Sequence, residues 1–282
     1  MVRAMQTPPL LTDHIALTRN RTRAAQAPAM FLHDLAATEV QERLNEVNRS
    51  FTSPAIVTGF RDFWHSVLPN ARIVPDADLL ELSENSHDLI IHALALHWAN
   101  DPVGQLVQCL RALKPDGLFL GLMFGGQTLT QLRSALAGAE ALVSGGLSPR
   151  VLPMGEIRDL GGLLQRAGFA LPVADSLIQT VRYRDIFHLM ADLRAMGEAN
   201  ALHQRLRHPT RRAVFTKAAQ IYSDTYQDSK GRIPATFEMI CLTGWAPADN
   251  QQKPLRPGSA THRLAERLGA DETPLPRGQG DG

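Results

Sequence analysis

Cysteine and lysine are scarce in this chain. Only Cys109 and Cys241 occur among its 282 residues. Two thiols exclude a disulfide framework, and also a zinc site built on paired CxxC motifs. No apolar run approaches the roughly 20 residues of a membrane-spanning helix. An excess of either charge is missing as well. With 29 Lys+Arg against 28 Asp+Glu the formal net charge is +1, which argues against a nucleic-acid binder that works by bulk electrostatics. Only 4 of the basic residues are lysine and 25 are arginine, a habit read as that of the source genome. The first 28 residues carry Arg3, Arg19, Arg21 and Arg23 against Asp13. They lack the apolar core of a secretory signal. A soluble protein of a reducing compartment is expected, cytoplasmic in a bacterium or in the mitochondrial matrix of a eukaryote.

What is present is ordinary globular composition, 44% hydrophobic and 20% charged, long enough for one large domain or two small ones. Residues 12–49 carry Leu32, Leu35, Ala36, Val40, Leu44 and Val47 at helical spacing, and Pro28 is expected to split the region into two helices. Residues 54–59 read as a buried strand closed by Gly59, residues 61–68 as a short helix, and residues 72–74 and 88–96 as strands. A helix marked by Val103, Leu106, Leu110 and Leu113 follows. Lys114–Gly117 reads as a turn, and Leu118–Phe124 as a continuous apolar strand. This is a βαβ unit with a parallel sheet covered on both faces. Further helices are expected over 129–143, 157–167, 185–197 and 210–228, with extended segments at 176–183 and 235–246. The fold class is a doubly wound, Rossmann-like α/β sheet of about seven strands, with a helical insertion at about 185–229 before the last strand. The organisation expected is N-terminal helices over 1–50, a main domain over 51–248, and a mobile tail over 249–282. Ligands of such sheets bind beyond the carboxyl ends of the strands. Here those ends are Gly59, the stretches after Val74 and Leu96, and Phe124-Gly125-Gly126.

The segments at those ends carry a resemblance. Residues 85–133 resemble the second half of a class I S-adenosylmethionine-dependent methyltransferase domain. LALHWAND (94–101), MFGGQTL (123–129), GGLSPRVLP (145–153), DLGGLLQRAGF (159–169), MADLRAMGEAN (190–200), IPATFEMICLTGW (233–245) and PGSAT (257–261) are similar to segments of the methyltransferase-fold complex I assembly factors. A more distant similarity is to the malonyl-carrier-protein methyltransferases. The resemblance spans roughly residues 12–268. It implies a seven-stranded sheet whose last two strands are antiparallel, S-adenosylmethionine as cofactor, and a role in modifying or assembling a subunit of respiratory NADH dehydrogenase. Its mitochondrial member is described as an arginine hydroxylase. It also implies cofactor contacts at Gly59, Asp76, Asp78, Ala95 and Leu96.

Two features depart from the family. Its members open the sheet with an acid and three close glycines, because the backbone must lie against the cofactor with no side chain between. Aligned on Gly59, the acid here is Val57 and the other two glycines are Arg61 and Phe63. These large side chains are expected to stand in the cofactor's slot. Only twelve residues separate Phe63 from Asp76, so one β-α unit near this loop reads as lost. Both departures point to weakened or absent cofactor binding. Asp76 and Asp78 read equally as turn or helix-cap residues.

Other candidates lie at the crevice mouth. His97 and Trp98 are the catalytic pair expected, against the alternative of a packed aromatic and a backbone-bonded histidine. Asn100-Asp101 reads as the cap of the helix at Pro102. Phe124, Gly125, Gly126 and Thr128 are candidates for substrate binding, the glycines by close backbone approach and the following amides by meeting an anion. Arg133 suits a carboxylate or an acidic partner, or is a solvated charge. Glu198 and Asn200, beside a helix stop at Gly197, suit a peptide guanidinium. No metal site is expected, since His92 and His97 face opposite sides of a regular strand. The partner expected is a protein client, a subunit of NADH dehydrogenase by resemblance.

Overall fold

In the computed structural model, residues 10–251 are described. The expected tail and the PGSAT block lie almost wholly outside them. The described residues up to Ala248 belong to one unit, and a second begins at Asp249. The chain opens with α1 (His14–Ala24) and α2 (Phe31–Val47), separated at Pro28 as expected. Then come β1 (Pro54–Val57), α3 (Arg61–Val67), β2 (Arg72–Val74), β3 (His87–Ala93), α4 (Pro102–Ala112) and β4 (Leu113–Phe124). The second half holds α5 (Thr130–Ser144), α6 (Ile157–Ala167), β5 (Ala170–Tyr183), α7 (Ile186–Ala195), α8 (Arg212–Tyr226) and β6 (Ile233–Trp245).

The strands form one six-stranded sheet in the order β2-β1-β3-β4-β6-β5. β1 pairs in parallel with β2 and β3, and β3 with β4. β6 lies antiparallel between β4 and β5. Among the described residues the sheet therefore has six strands, not about seven. The segment from Pro75 to Ser86 joins β2 to β3 without a helix or strand, so β2 has no helical crossover into β3.

Two-residue alternation decides which face each strand residue covers. Ile56, Leu89, Ile91, Leu118 and Leu120 join Leu32, Ala36, Leu132, Leu136 and Ala218 on one side. Ala55, Val57, Ile90 and Phe119 join Leu106, Cys109 and Leu164 on the other. A third, smaller cluster of Ala16, Leu17, Trp98, Leu152, Ala201 and Leu202 packs α1 over the end of the sheet. The same contact is stitched by the bridge Thr12–Leu202 and by Asp13 N donating to Ala201 O at 2.8 Å.

Three local readings are corrected. The strand expected over 88–96 ends at Ala93, and Leu96–Trp98 coil into a short 3-10 turn. Lys114–Gly117 is not a free turn before a strand. β4 already pairs at Leu113 with His87, and the register then jumps to Leu118–Leu89. These four residues bulge from the strand, with Asp116 at φ +61°. Asn100 is not a helix cap. Asp101 alone caps α4, accepting from Gly104 N at 2.8 Å. Asn100 Oδ1 instead accepts from Leu11 N and Thr12 N, both at 2.9 Å, and so ties the segment before α1 to the sheet end.

Candidate functional site

Beyond the carboxyl ends of β3 and β4 the chain encloses a cavity of about 550 Å³. The insertion carrying α7 and α8 covers it. Met190, Leu193 and Phe215 come from these helices, and Leu32, Phe124, Leu132 and Phe237 from the body below. The walls are mainly apolar because α5 turns Leu132 and Leu136 inward and α7 adds Met190 and Leu193. A few polar groups interrupt them: Thr128, Glu198, Asn200 and three arginines, Arg150, Arg194 and Arg212. Volume and character fall in the range of small-ligand or side-chain pockets.

Glu198 is the chemical centre of this wall. It lies just after Gly197, whose backbone sits at φ +77° and turns the chain back toward the sheet. Trp98 Nε1 donates to Glu198 Oε2 at 2.8 Å, and His97 Nε2 lies 3.4 Å from the same oxygen. The carboxyl is 9% exposed. Burial opposes its ionisation, but the His97 contact, the charge of Arg21 and the Trp98 hydrogen bond outweigh that and hold the acid below the usual carboxylate range. The product is a buried carboxylate at the end of an apolar chamber. Chemically it suits a cation carried on an aliphatic stem.

The expected residues divide clearly. Trp98, Phe124, Thr128, Glu198 and Asn200 line the cavity, and His97 stands behind Glu198 with its Nδ1 buried and unpartnered among the described residues. Thr128 has its hydroxyl engaged with the Glu238 backbone. Asn200 Nδ2 donates to Pro149 O at 2.8 Å. Gly125 and Gly126 are corrected. Their amides donate to Glu238 O at 2.8 Å and Gly155 O at 3.0 Å, and Gln127 N donates to the Glu238 carboxylate at 2.8 Å. No anion finds free amides there. Arg133 is corrected too: its Nη2 donates to Leu152 O at 3.2 Å, bracing the loop before α6, and it does not line the cavity.

On the cofactor side, Gly59 does lie at the carboxyl end of β1, but the group against it comes from α1. A methyl group added at Gly59 would overlap the Arg21 guanidinium. Arg21 Nη1 donates to both oxygens of Asp76, at 2.7 and 2.8 Å. Asp78 lies 3.1 Å from His14 Nε2. Neither aspartate caps a helix, and both lie in the irregular segment between β2 and β3, with Asp78 in a bend. Ala95 and Leu96 are buried in the 3-10 turn and its entry, each 1% exposed. The bulky pair expected in the slot is not there. Arg61 is exposed, and Phe63 packs beneath the loop, 5.5 Å from the His33 ring and 5.6 Å from the Trp64 ring. The side chain that does stand against Gly59 is Arg21, not either of these two.

Sequence reasoning counted Arg21 only as part of a basic N-terminal segment and did not single out Arg150 or Arg194. No local motif marks Arg21. Arg150 lies inside the GGLSPRVLP block, and its guanidinium is spent on Glu140, at 2.6 and 3.0 Å, and on Thr210. The stretch 205–212 carries Arg205, Arg207, Arg211 and Arg212, and two of these charges are likewise spent. Arg205 and Arg207 both pair with Asp13, at 2.9 and 2.8 Å. Among the described residues one group has metal-ligating spacing, Glu39, Asp175 and Cys241. Arg43 bridges its two carboxylates at 2.6 Å each, and burial pushes the Cys241 thiol up to about 12. That chemistry is an ion-pair network with a protonated thiol, not a donor set for a cation.

Comparison with known proteins adds the following. A family profile described as "Methyltransferase domain" matches residues 33–121. The chain is 37% identical over 220 residues to the mitochondrial arginine-hydroxylase NDUFAF5 of Danio rerio, covering 78% of this chain and 68% of that protein. It is 36% identical over 235 residues to that of Homo sapiens, with 83% and 67% covered. It is 35% identical over 187 residues to a malonyl-[acyl-carrier protein] O-methyltransferase of Xylella fastidiosa (strain M23), with 66% and 60% covered. No helix among the described residues is long and apolar enough to cross a membrane.

Proposed function

Because this chain belongs to the class I methyltransferase-fold family of the arginine hydroxylases just described, we propose that it is an assembly factor that grips a client protein under its lid. The client is a subunit of respiratory NADH dehydrogenase, and the S-adenosylmethionine loop of the factor is degenerate. One observation carries the reading: Glu198, a buried carboxylate fixed by Trp98 and His97, ends an apolar chamber of about 550 Å³. An arginine side chain fits such a chamber, its methylenes along Leu132, Met190 and Phe215 and its guanidinium on the carboxylate. The fold itself points to S-adenosylmethionine, but the residues on that side do not fit it as they stand. A guanidinium occupies the face of Gly59, and Asp76 is already paired. The protein works in the bacterial cytoplasm or the mitochondrial matrix, in keeping with its two free, buried thiols.

The same carboxylate favours a second reading, a hydroxylase acting on an arginine of the client, since the relatives are named arginine-hydroxylases. The profile match over residues 33–121 favours a third, an active S-adenosylmethionine-dependent methyltransferase with an altered loop. Cells lacking the protein test all three. Assembled NADH dehydrogenase, measured on native gels, falls in those cells. Wild type restores it, and Glu198→Ala restores less than a tenth. Full rescue by folded Glu198→Ala overturns the lid reading. Mass spectrometry of the client from the same cells separates the chemistries. Loss of one oxygen atom on an arginine identifies the hydroxylase, loss of a methyl group the methyltransferase, and an unchanged client the binding factor.

A further inference from the structure

We infer that Arg21 is an internal occupant of the cofactor cleft, a latch carried by α1 that must withdraw before a nucleoside can enter. The inference deepens the reading of a degenerate cofactor site and rests on it.

The two positions that would receive a nucleoside in this fold are a glycine floor at the end of the first strand and an acid beyond the next. One side chain covers both here. Arg21 lies against Gly59, where only the missing Cβ permits so close an approach. Its Nη1 reaches both oxygens of Asp76, and the two side chains are 10% and 9% exposed. The ring of Phe60 closes the site, with its centroid 5.9 Å from Arg21 Cζ.

The lid meets the same side chain. A methyl group on Gly197 would stand 2.9 Å from Phe60 Cζ, 3.1 Å from Arg21 Cγ and 3.3 Å from Arg21 Cα. Cofactor loop and lid thus converge on one residue of α1. Neighbours hold α1 in place: Asn20 Nδ2 donates to Ala199 O at 3.0 Å, and the Leu11 and Thr12 amides donate to Asn100. The lid loop that carries Glu198 is therefore tied to α1, so movement of the latch is felt in the client cavity.

The latch is also incompletely satisfied. Arg21 Nε and Nη2 are buried and have no hydrogen-bond partner among the described residues. A buried cation paired on one edge alone gives back less on release than one paired on both. This is the pattern of a displaceable contact.

Calorimetric titration of the full chain with S-adenosylhomocysteine tests the inference. Wild type is expected to bind weakly or undetectably at millimolar ligand, and Arg21→Ala to gain at least tenfold in affinity. Arg21→Gln keeps the stem under Phe60 and removes the guanidinium. It carries the same test if the alanine variant does not fold, and circular dichroism checks both. A folded Arg21 variant with no gain overturns the latch and leaves the degenerate-site reading standing. Micromolar binding by wild type, unchanged in the variants, overturns the latch and that reading together.

Discussion

Taking the protein from pH 7 to pH 5 is expected to cost about 4 kcal/mol of folding stability, through two buried histidines. His33, on α2, is 3% exposed, and its Nδ1 accepts from Trp64 Nε1 at 3.1 Å. His92, on β3, is fully buried, and its Nε2 lies 2.9 Å from Gln105 Oε1. Burial is the main cause that lowers each from 6.5 to about 4. For His33 the charge of Glu198 works against burial, and Arg21 and His97 work with it. For His92 the bond to Gln105 is the main opposing influence. The sign follows from proton binding. Between pH 4 and 6.5 the unfolded chain binds these two protons and the folded chain does not. Stability is therefore full above about 6.5 and drains away as pH falls toward 4. Inside that window each step of one in pH costs about 1.36 kcal/mol per proton, so each histidine loses about 2 kcal/mol between pH 7 and pH 5. That is a large part of a typical stability of about 5–15 kcal/mol. Depressed carboxyls such as Glu140 lose their contribution only below their unfolded value of 4.5, so this window isolates the histidines from them. Urea denaturation at the two pH values, followed by circular dichroism, reads the difference. His33→Gln and His92→Asn, which do not titrate, should each remove about half of it. A drop below about 1 kcal/mol in wild type, or a full drop in both variants, refutes the reasoning.

Gly197→Ala forces an L-residue to φ +77° and drives its Cβ to 2.9 Å from Phe60. It should lower stability by about 2 kcal/mol or more, read as a shift in urea midpoint. Glu140→Gln takes the charged partner from Arg150, whose side chain is 14% exposed, and should cost about 3 kcal/mol at pH 7. Burial opposes the ionisation of Glu140, but the hydrogen bonds from Arg150 and Ser148 hold it down at about 2. Its stabilisation is thus complete above its unfolded value of 4.5 and lost as pH falls toward 2. Urea midpoints across that window should fall less steeply in Glu140→Gln than in wild type.

Periodicity made most of the fold legible. Helices at 102–112, 130–144 and 157–167 follow hydrophobic spacing, and Pro28 marks the break between those at 14–24 and 31–47. Gly168, at φ +96°, stops α6 where a glycine was expected to. The misreadings fall where tertiary pairing overrides local chemistry. Lys114–Gly117 carries the residues of a tight turn, yet β3 already pairs at Leu113. β5 starts at Ala170 and not at 176, because β6 supplies a partner along almost its whole length. Edge pairing of that kind leaves no sharp hydrophobic alternation in a single sequence.

The site was half legible for a related reason. Trp98, Phe124, Thr128, Glu198 and Asn200 all sit at strand ends or in the insertion, where the topology of the fold collects ligand-facing residues. Arg21 sits on α1, before the first strand, and reaches Gly59 and Asp76 across separations of 38 and 55 residues. Such a contact has no local signature. What the sequence does display is a glycine at the end of β1 without companion glycines, and an acid beyond a short connection. A reader of the sequence then looks for the obstruction among neighbours, and so assigns it to Arg61 and Phe63. α3 forbids that, because its first turn projects Arg61 to solvent and packs Phe63 on His33. The space left at the strand ends is filled from outside the sheet by a long cationic side chain for which Asp76 offers the counter-charge. The Gly59 face and the acid beyond β2 are coupled through that one carboxylate, which Arg21 holds at 2.7 Å. Asp76 cannot serve a ribose and a guanidinium at once.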